Sequence, residues 1–191
     1  MIKNQTATRI YDPMNSIEAP NPIASGVSIG HVHLKAADLE RALNFYCGVL
    51  GFELTQRYGT QAAFVSAGGY HHHIGLNTWE SSGGSPPPHN ATGLYHLAIL
   101  YPTRAFLADA LRRVLAAGIP LEGASDHGVS EAIYLRDPDE NGVELYWDRP
   151  REQWPRTPDG GITMFTHSLD LERLLADAPK NPGVPPGHKT T

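Results

Sequence analysis

The sequence of 191 residues has one cysteine, Cys47, no long hydrophobic run and no cluster of lysine and arginine. One cysteine cannot form an internal disulfide, and its helical surroundings predict a small buried residue rather than a nucleophile. Without a long apolar run the sequence predicts neither a membrane span nor a signal peptide. The formal net charge of −5 and the lack of a basic cluster argue against a nucleic-acid surface. We therefore expect a globular, cytoplasmic protein.

Histidine, in contrast, is abundant, with ten residues. Two of them, His31 and His96, lie in the first predicted strand of two separate segments, and Glu144 lies in a predicted strand much later in the chain. Two imidazoles and one carboxylate can hold a divalent metal on one face and leave the opposite face open for substrate and dioxygen. Because the three residues are far apart in the sequence, this metal site exists only if the fold brings them together.

The chain contains an internal repeat of predicted elements, with modules at about 27–80 and 92–150. In each module a strand precedes a helix, and three short strands follow; Asp38 and Thr103 are the expected helix N-caps, and Gly51 and Gly118 the expected ends. The first module has predicted strands at 27–35, 52–57, 62–67 and 72–77, and the second at 94–100, near Leu121, at 130–136 and at 143–147.

This order predicts an α+β protein built from paired βαβββ modules around a cleft, over residues 27–150. His31 and His96 occupy equivalent positions, so a pseudo-twofold axis between the modules would bring them together. Residues 1–26 are interpreted as an irregular arm. Residues 151–191 are interpreted as a C-terminal extension with a short helix capped by Ser168 and a disordered tail from residue 179.

A hairpin of the second module predicts a further contact with Glu144. If residues 137–141 form its turn, Arg136 pairs with Gly142 and Tyr134 lies opposite Glu144 on the same sheet face. A slip of one residue would put the two side chains on opposite faces. Tyr134 is therefore a candidate for contact with the metal ligand or the substrate.

Two sequence segments resemble the vicinal oxygen chelate superfamily, which includes glyoxalase I, bleomycin-resistance proteins and extradiol dioxygenases. They are Gly-His-Val-His-Leu-Lys-Ala-Ala-Asp-Leu-Glu-Arg-Ala-Leu-Asn-Phe-Tyr (30–46) and Asp-Pro-Asp-Glu-Asn-Gly-Val-Glu-Leu-Tyr-Trp-Asp (137–148). The resemblance implies paired βαβββ modules with a metal in the cleft. It also implies that His31, His96 and Glu144 are the metal ligands.

Two further segments resemble the catechol 2,3-type, extradiol dioxygenases within that superfamily. Residues 68–79 are similar to their strand with the catalytic histidine, and residues 126–134 to their second histidine followed by a tyrosine. The resemblance implies catalytic roles for His73, His127 and Tyr134. Strand alternation predicts that His71 faces the same way as His73, and that His72 faces the other side.

The resemblance implies an iron(II)-dependent dioxygenase that opens the ring of a catechol-like aromatic diol with O2; Mn²⁺, Zn²⁺ and Ni²⁺ are the alternative metals. His127 and Tyr134 would bind the substrate oxygens, and His73 would act as general acid at the dioxygen position. Common extradiol dioxygenases have four modules where this chain has room for two. A homo-oligomer is therefore expected, and either a second copy or residues 150–178 would close the pocket.

Two other functions compete with the dioxygenase. One is a metal-dependent lyase or isomerase of the glyoxalase type, which usually needs a further ligand or a carboxylate base from the first module. The end of that module offers histidines instead. The other is a metal-free binding protein of the bleomycin-resistance type, which has no need for the three ligands or for His73, His127 and Tyr134.

Overall fold

The computed structural model describes residues 22–179. Most of the expected arm and all but the first residue of the expected tail therefore lie outside the described residues. Residues 22–30 are exposed and contain a turn at Ser25 and Gly26.

From His31 onward the elements of the first module are β1 (Val32–Lys35), α1 (Leu39–Leu43), a π-helical turn (Asn44–Val49), β2 (Glu53–Tyr58), β3 (Ala62–Ser66) and β4 (Ile74–Asn77). The second module contains β5 (Leu97–Leu100), α2 (Arg104–Ala116), β6 (Leu121–Asp126), β7 (Ser130–Arg136) and β8 (Gly142–Asp148). A 3₁₀ turn (Arg151–Gln153), β9 (His167–Ser168) and α3 (Leu171–Leu175) follow.

Each module has its own sheet. The first sheet has the strand order β1-β4-β3-β2, and the second has the order β5-β8-β7-β6-β9. In both, the first strand of the module pairs in parallel with the last, while the remaining pairs are antiparallel. The predicted α+β class and its two βαβββ repeats are thereby confirmed.

The helices of the two modules begin at the predicted residues. The Asp38 carboxylate accepts a hydrogen bond from the backbone N–H of Arg41 at 3.0 Å, and the Thr103 hydroxyl oxygen accepts one from that of Phe106 at 3.3 Å. Gly51, with φ of 86°, follows the first helical segment in the left-handed conformation that glycine adopts without strain.

Four local predictions are wrong. Strands β1, β4 and β5 begin at Val32, Ile74 and Leu97, so all three are shorter at their starts than hydrophobic alternation suggested. The N-cap of α3 is Asp170, whose carboxylate accepts the N–H of Arg173, and not Ser168. Ser168 instead pairs with Ser125 as part of β9, because the edge of β6 offers it backbone partners.

The buried sides of both sheets share one hydrophobic core. Leu34, Val65 and Ile74 of the first sheet join Ile133 and Leu145 of the second in this cluster. Along each strand, the residues that alternate with these core residues point to the other side of the sheet. The core also contains apolar residues of α1, α2 and α3.

Polar contacts also join the modules, at the turn between β7 and β8. The Tyr46 hydroxyl donates a hydrogen bond to Oδ2 of Asp137 at 2.9 Å. Asp139 Oδ1 accepts from the backbone N–H of Ala37 at 3.0 Å and from Arg41 at 2.6 Å. The turn of the second module is thus held by the start of the first.

Within residues 22–179, no helix has both the length and the apolar character needed to cross a membrane.

Candidate active site

The predicted hairpin register is confirmed. Tyr134 pairs with Glu144, and Arg136 pairs with Gly142. Tyr134 and Glu144 therefore project from the same face of the second sheet, opposite to the face that packs on the core. Ala98 of β5 pairs with Glu144 in turn, so Tyr134, Glu144 and Ala98 form one row across the second sheet.

His96 lies next to this row, at the start of β5, and contacts Glu144. The distance from His96 Nε2 to Glu144 Oε2 is 2.9 Å, and the Glu144 side chain is only 13% exposed. Gly142 makes the approach possible, because a Cβ there would lie 2.2 Å from the Tyr95 carbonyl oxygen and 3.0 Å from the His96 Cβ. The absence of a side chain at Gly142 therefore leaves room for His96 to approach Glu144.

Tyr134 links Glu144 to His127. Its hydroxyl lies 2.7 Å from Nε2 of His127 and 3.2 Å from Oε1 of Glu144. Partial burial, reinforced by the Glu144 carboxylate, raises the pKa of Tyr134 to about 12. The phenol therefore keeps its proton near neutral pH and can donate it in a hydrogen bond.

The C-terminal extension orients His127. Nδ1 of His127 lies 2.9 Å from the Phe165 carbonyl oxygen, which can only accept a hydrogen bond. Nδ1 therefore carries the proton in the neutral ring, and Nε2 is left with a free lone pair that faces Tyr134. Sequence reasoning missed the role of Phe165, because it acts through a backbone carbonyl that has no residue signature.

A glycine in the β6–β7 turn leaves room for Phe165. Gly128 has φ of 78°, and a Cβ at this position would lie 2.7 Å from the Phe165 ring and 2.9 Å from Pro155. The glycine thus allows the extension to lie directly against the β6–β7 turn that carries His127.

His96, His127 and Tyr134 line an open cavity of about 420 Å³. Its lining comes from the second module, with Thr166 added by the C-terminal extension. Its lining includes Tyr95, His96, Glu122, His127, Tyr134 and Thr166.

His31 belongs to a different cluster, which consists of His31, His71 and His72. The His31 and His72 ring centroids are 4.4 Å apart, and Nδ1 of His71 lies 2.7 Å from Nδ1 of His72. Desolvation, followed by the charges of neighbouring histidines, lowers the pKa of His72. His31 therefore lies apart from His96 and Glu144, whereas the pseudo-twofold relation of the two modules predicted that they would meet.

The orientation predicted within the histidine triplet also differs from the structure. His72, rather than His73, contacts His31, and His71 lies against His72. His73 turns to Ser66, with 3.0 Å between Nδ1 and the serine oxygen. Strand alternation does not apply here, because β4 begins only at Ile74.

The first sheet has a row equivalent to that of Tyr134 and Glu144. In the first sheet His33 pairs with Gly75, and Gly75 pairs with Phe64. The residues at the same positions in the second sheet are Ala98, Glu144 and Tyr134, in that order. The His33 ring lies over Gly75, so closely that a Cβ there would be 2.5 Å from it. The first module therefore has glycine at the position of the Glu144 carboxylate.

The pair of His96 and Glu144 fits two coordination positions of a divalent metal. Two ligand atoms about 2.1 Å from a metal and at right angles to each other are about 3.0 Å apart, close to the observed separation. Imidazole nitrogen with carboxylate oxygen is also a donor set suited to iron. The part of the chain that the structure describes contains no group of three or more His, Cys, Asp or Glu residues able to hold a metal ion.

Comparison with known proteins identifies related sequences. Residues 28–145 match the family model of the Glyoxalase/Bleomycin resistance protein/Dioxygenase superfamily. The chain is 44% identical over 151 residues to a catechol-2,3-dioxygenase of Bacillus subtilis (strain 168), covering 78% of this chain and 52% of that protein. It is 32% identical over 168 residues to biphenyl-2,3-diol 1,2-dioxygenase 3 of Rhodococcus globerulus, covering 85% and 87%. The chain thus spans about half the length of the Bacillus relative.

Solved structures share the fold. A lactoylglutathione lyase from Agrobacterium tumefaciens is 26% identical, with a TM-score of 0.50 over 66% of this chain and 96% of that one. A glyoxalase/dioxygenase from Nostoc punctiforme is 18% identical, with a TM-score of 0.55 over 75% and 99%, and supports the fold alone. The repeated βαβββ modules and the matching family model together show that this chain belongs to the Glyoxalase/Bleomycin resistance protein/Dioxygenase superfamily, also called the vicinal oxygen chelate superfamily.

Proposed function

We propose that this protein is an iron(II)-dependent extradiol dioxygenase that opens the ring of a catechol-like aromatic diol. The observation that carries the proposal lies beside the 420 Å³ cavity: His96 contacts Glu144, and Tyr134 links Glu144 to His127 by hydrogen bonds. Relatives named as catechol and biphenyl-2,3-diol dioxygenases support the same reaction class.

His96 and Glu144 would hold the metal, and His31 is the proposed third ligand. Bound there, iron(II) supplies a Lewis acid that lowers the pKa of a diol hydroxyl and a redox centre for dioxygen. The 13% exposure of the Glu144 side chain keeps most water away from the carboxylate, which strengthens its interaction with a cation.

His127 and Tyr134 would act on the substrate oxygens. Because the Phe165 carbonyl fixes the proton of His127 on Nδ1, Nε2 can accept a proton from a diol hydroxyl. The Tyr134 hydroxyl, with its raised pKa, donates a hydrogen bond to an oxygen that gains negative charge. His73 keeps its proposed role as general acid, although it lies just before β4 of the first sheet, beside Ser66.

The lyase alternative has less support in the residues. A glyoxalase-type reaction uses a further ligand or a carboxylate base from the first module, and the position equivalent to Glu144 there is Gly75. The likeness to a lactoylglutathione lyase structure therefore supports the fold more than the reaction.

The first test is anaerobic reconstitution with iron(II), then addition of catechol, and then of oxygen. We expect a yellow ring-cleavage product, with one O2 consumed per catechol, because both oxygen atoms enter the product as the carbon–carbon bond beside the diol breaks. Elemental analysis of the bound iron accompanies the assay.

Two variants make this test specific. Glu144→Ala should lose both iron and turnover, since one proposed ligand is removed. Glu122→Ala is the matched control, because Glu122 lines the same cavity but pairs with Arg136. Bound iron and catechol without oxygen uptake would contradict the dioxygenase proposal and favour the lyase.

A further inference from the structure

The turn between β6 and β7, which carries His127, is flanked by two carboxylates. Asp126, the last residue of β6, pairs directly with Glu131 of β7, so the two side chains project from the same face of the sheet. Glu131 is only 6% exposed. Like charges placed opposite each other on two strands repel, and a buried carboxylate is costly unless a cation pairs with it. The shape of this turn therefore depends on a positive partner for both carboxylates.

Arg149, which directly follows β8, is that partner. Its Nη2 lies 2.9 Å from Oδ2 of Asp126 and 2.7 Å from Oε1 of Glu131. Its backbone N–H donates to the carbonyl oxygen of Val129 at 2.8 Å, within the turn. The other carboxylate oxygen of Asp126 accepts the backbone N–H of Gly128 at 2.8 Å. One arginine thus contacts both strands and the turn that joins them.

The surroundings of Arg149 hold it in place. Glu131 Oε2 accepts a hydrogen bond from Nε of Arg104 at 2.6 Å, so both oxygens of this carboxylate are bound by arginine. The Arg149 carbonyl oxygen accepts the indole N–H of Trp154 at 2.7 Å. The side chains of Arg149 and Arg104 are 21% and 19% exposed. Salt and water screen such shielded ion pairs less than they screen surface pairs.

These ion pairs lie on the side of the sheet that faces away from the cavity. Glu131 and Tyr134 are three residues apart on β7, so their side chains project from opposite faces. Tyr134 lines the cavity, whereas Glu131 contacts Arg104 of α2. An effect of Arg149 on the substrate therefore has to pass through the turn and His127.

We propose that Arg149 is a positioning residue for His127, which it holds within hydrogen-bond distance of Tyr134. The inference rests on the proposed role of His127 as the base. Nε2 of His127 lies 2.7 Å from the Tyr134 hydroxyl, and Nδ1 lies 2.9 Å from the Phe165 carbonyl oxygen, so both ring nitrogens need the turn to keep its shape. Without the cation, the two facing carboxylates repel each other where the turn begins. A displacement of about 1 Å at a catalytic group can cost roughly 100-fold in rate.

Arg149→Met tests the proposal, because methionine keeps a long unbranched side chain and removes the charge. The first readout is nitrogen NMR of the metal-free full chain with isotope-labelled histidine, at mildly alkaline pH. The signals of His127 are those that disappear in His127→Gln. We expect a protonated Nδ1 and an unprotonated Nε2 in the wild type, and the averaged shifts of a mixture of tautomers in Arg149→Met.

Turnover of the iron-loaded enzyme is the second readout. We expect kcat/KM for catechol to fall at least about 10-fold in Arg149→Met, because a general base that is out of place loses part of its effect. Bound iron should be unchanged, since the proposed ligands His96 and Glu144 lie apart from Arg149.

Two further variants make the test specific. Arg149→Lys should recover much of the wild-type NMR pattern and turnover, because its ammonium group can still pair with the two carboxylates. Arg112→Met is the matched control: Arg112 also pairs with a carboxylate that is 8% exposed, that of Asp109, but it does so on α2. This control should keep both wild-type readouts.

Wild-type His127 signals in Arg149→Met would overturn the proposal, and so would a lysine variant as impaired as the methionine variant. If circular dichroism shows that Arg149→Met does not fold, Arg149→Gln takes its place, since its neutral amide still donates to one carboxylate. Wild-type His127 signals in that variant would overturn the proposal equally.

The NMR readout separates this proposal from the proposed reaction, because it requires neither iron nor turnover. Averaged His127 signals in Arg149→Met, with a wild type that leaves catechol intact, would support the positioning role and contradict the dioxygenase. Ring cleavage by the wild type, with unaltered His127 signals in Arg149→Met, would support the dioxygenase and contradict the positioning role.

Discussion

Tyr134 is the residue that connects the candidate ligand Glu144 with the candidate base His127. Its hydroxyl has one proton and two neighbours, at 2.7 Å and 3.2 Å. It can donate to only one of them at a time. The hydroxyl can thus donate its proton either to Glu144 or to His127.

Tyr134→Phe should keep the metal and lose turnover. The ring still fills its place, but no hydroxyl remains to bind a substrate oxygen, so we expect kcat to fall roughly 100-fold or more. Bound iron should be unchanged, since His96 and Glu144 remain. Tyr95→Phe is the control, because Tyr95 lines the same cavity and is 82% exposed. Equal turnover in both variants would remove Tyr134 from the mechanism.

The β7–β8 turn is the element that joins the two modules. Asp137 Oδ2 accepts hydrogen bonds from the Tyr46 hydroxyl at 2.9 Å and from Asn141 at 3.0 Å. Tyr46 is fully buried, and this burial, followed by the charge of Asp137, raises the pKa of its phenol. The turn therefore depends on a protonated tyrosine from the other module.

This contact predicts a pH dependence. Tyr46→Phe should lower the free energy of unfolding by about 1 kcal/mol at neutral pH, through loss of one buried hydrogen bond. In the wild type the unfolded Tyr46 ionises above about pH 10 while the folded one keeps its proton. The contribution of Tyr46 is thus present below pH 10 and is lost as pH rises further.

Urea titrations at pH 7 and between pH 10 and 11 measure this difference. The wild type should lose up to about 1.4 kcal/mol per pH unit more than Tyr46→Phe in the alkaline range. Tyr58→Phe serves as the control, since Tyr58 is 66% exposed. Parallel alkaline slopes for wild type and Tyr46→Phe would contradict a folded state in which the buried Tyr46 phenol keeps its proton.

For the molecule as a whole, the C-terminal extension is part of the fold. Leu174 of α3 is fully buried in the core shared by both modules. Arg104 of α2 forms ion pairs with Glu131 of β7 and with Asp177 just after α3. The extension is thus anchored to the second module, whose His127 it orients through Phe165.

Leu174→Ala should therefore destabilise the entire protein. We expect the free energy of unfolding to fall by about 2–5 kcal/mol, as for other buried leucines replaced by alanine. Leu94→Ala, at a leucine that is 57% exposed, should cost far less. Urea denaturation followed by circular dichroism gives both values. A small effect of Leu174→Ala would mean that α3 is an appendage rather than part of the core.

The sequence by itself determined the local features and the family. Helix caps at Asp38 and Thr103, the repeat of βαβββ elements and the pairing of Tyr134 with Glu144 all follow from neighbouring residues and turn length. Such features depend on capping, hydrophobic periodicity and strand register, which act over a few residues. The resemblance to the superfamily rested on the same short motifs.

Only the tertiary structure decided which histidines meet. Equivalent positions in two repeats suggested that His31 approaches His96, but which faces of the two sheets pack together depends on the whole core. The structure uses the sides away from His33 and Glu144, so His31 lies with His71 and His72. The Phe165 carbonyl beside His127 was likewise decided by the path of the extension, because a backbone group carries no signal in the sequence.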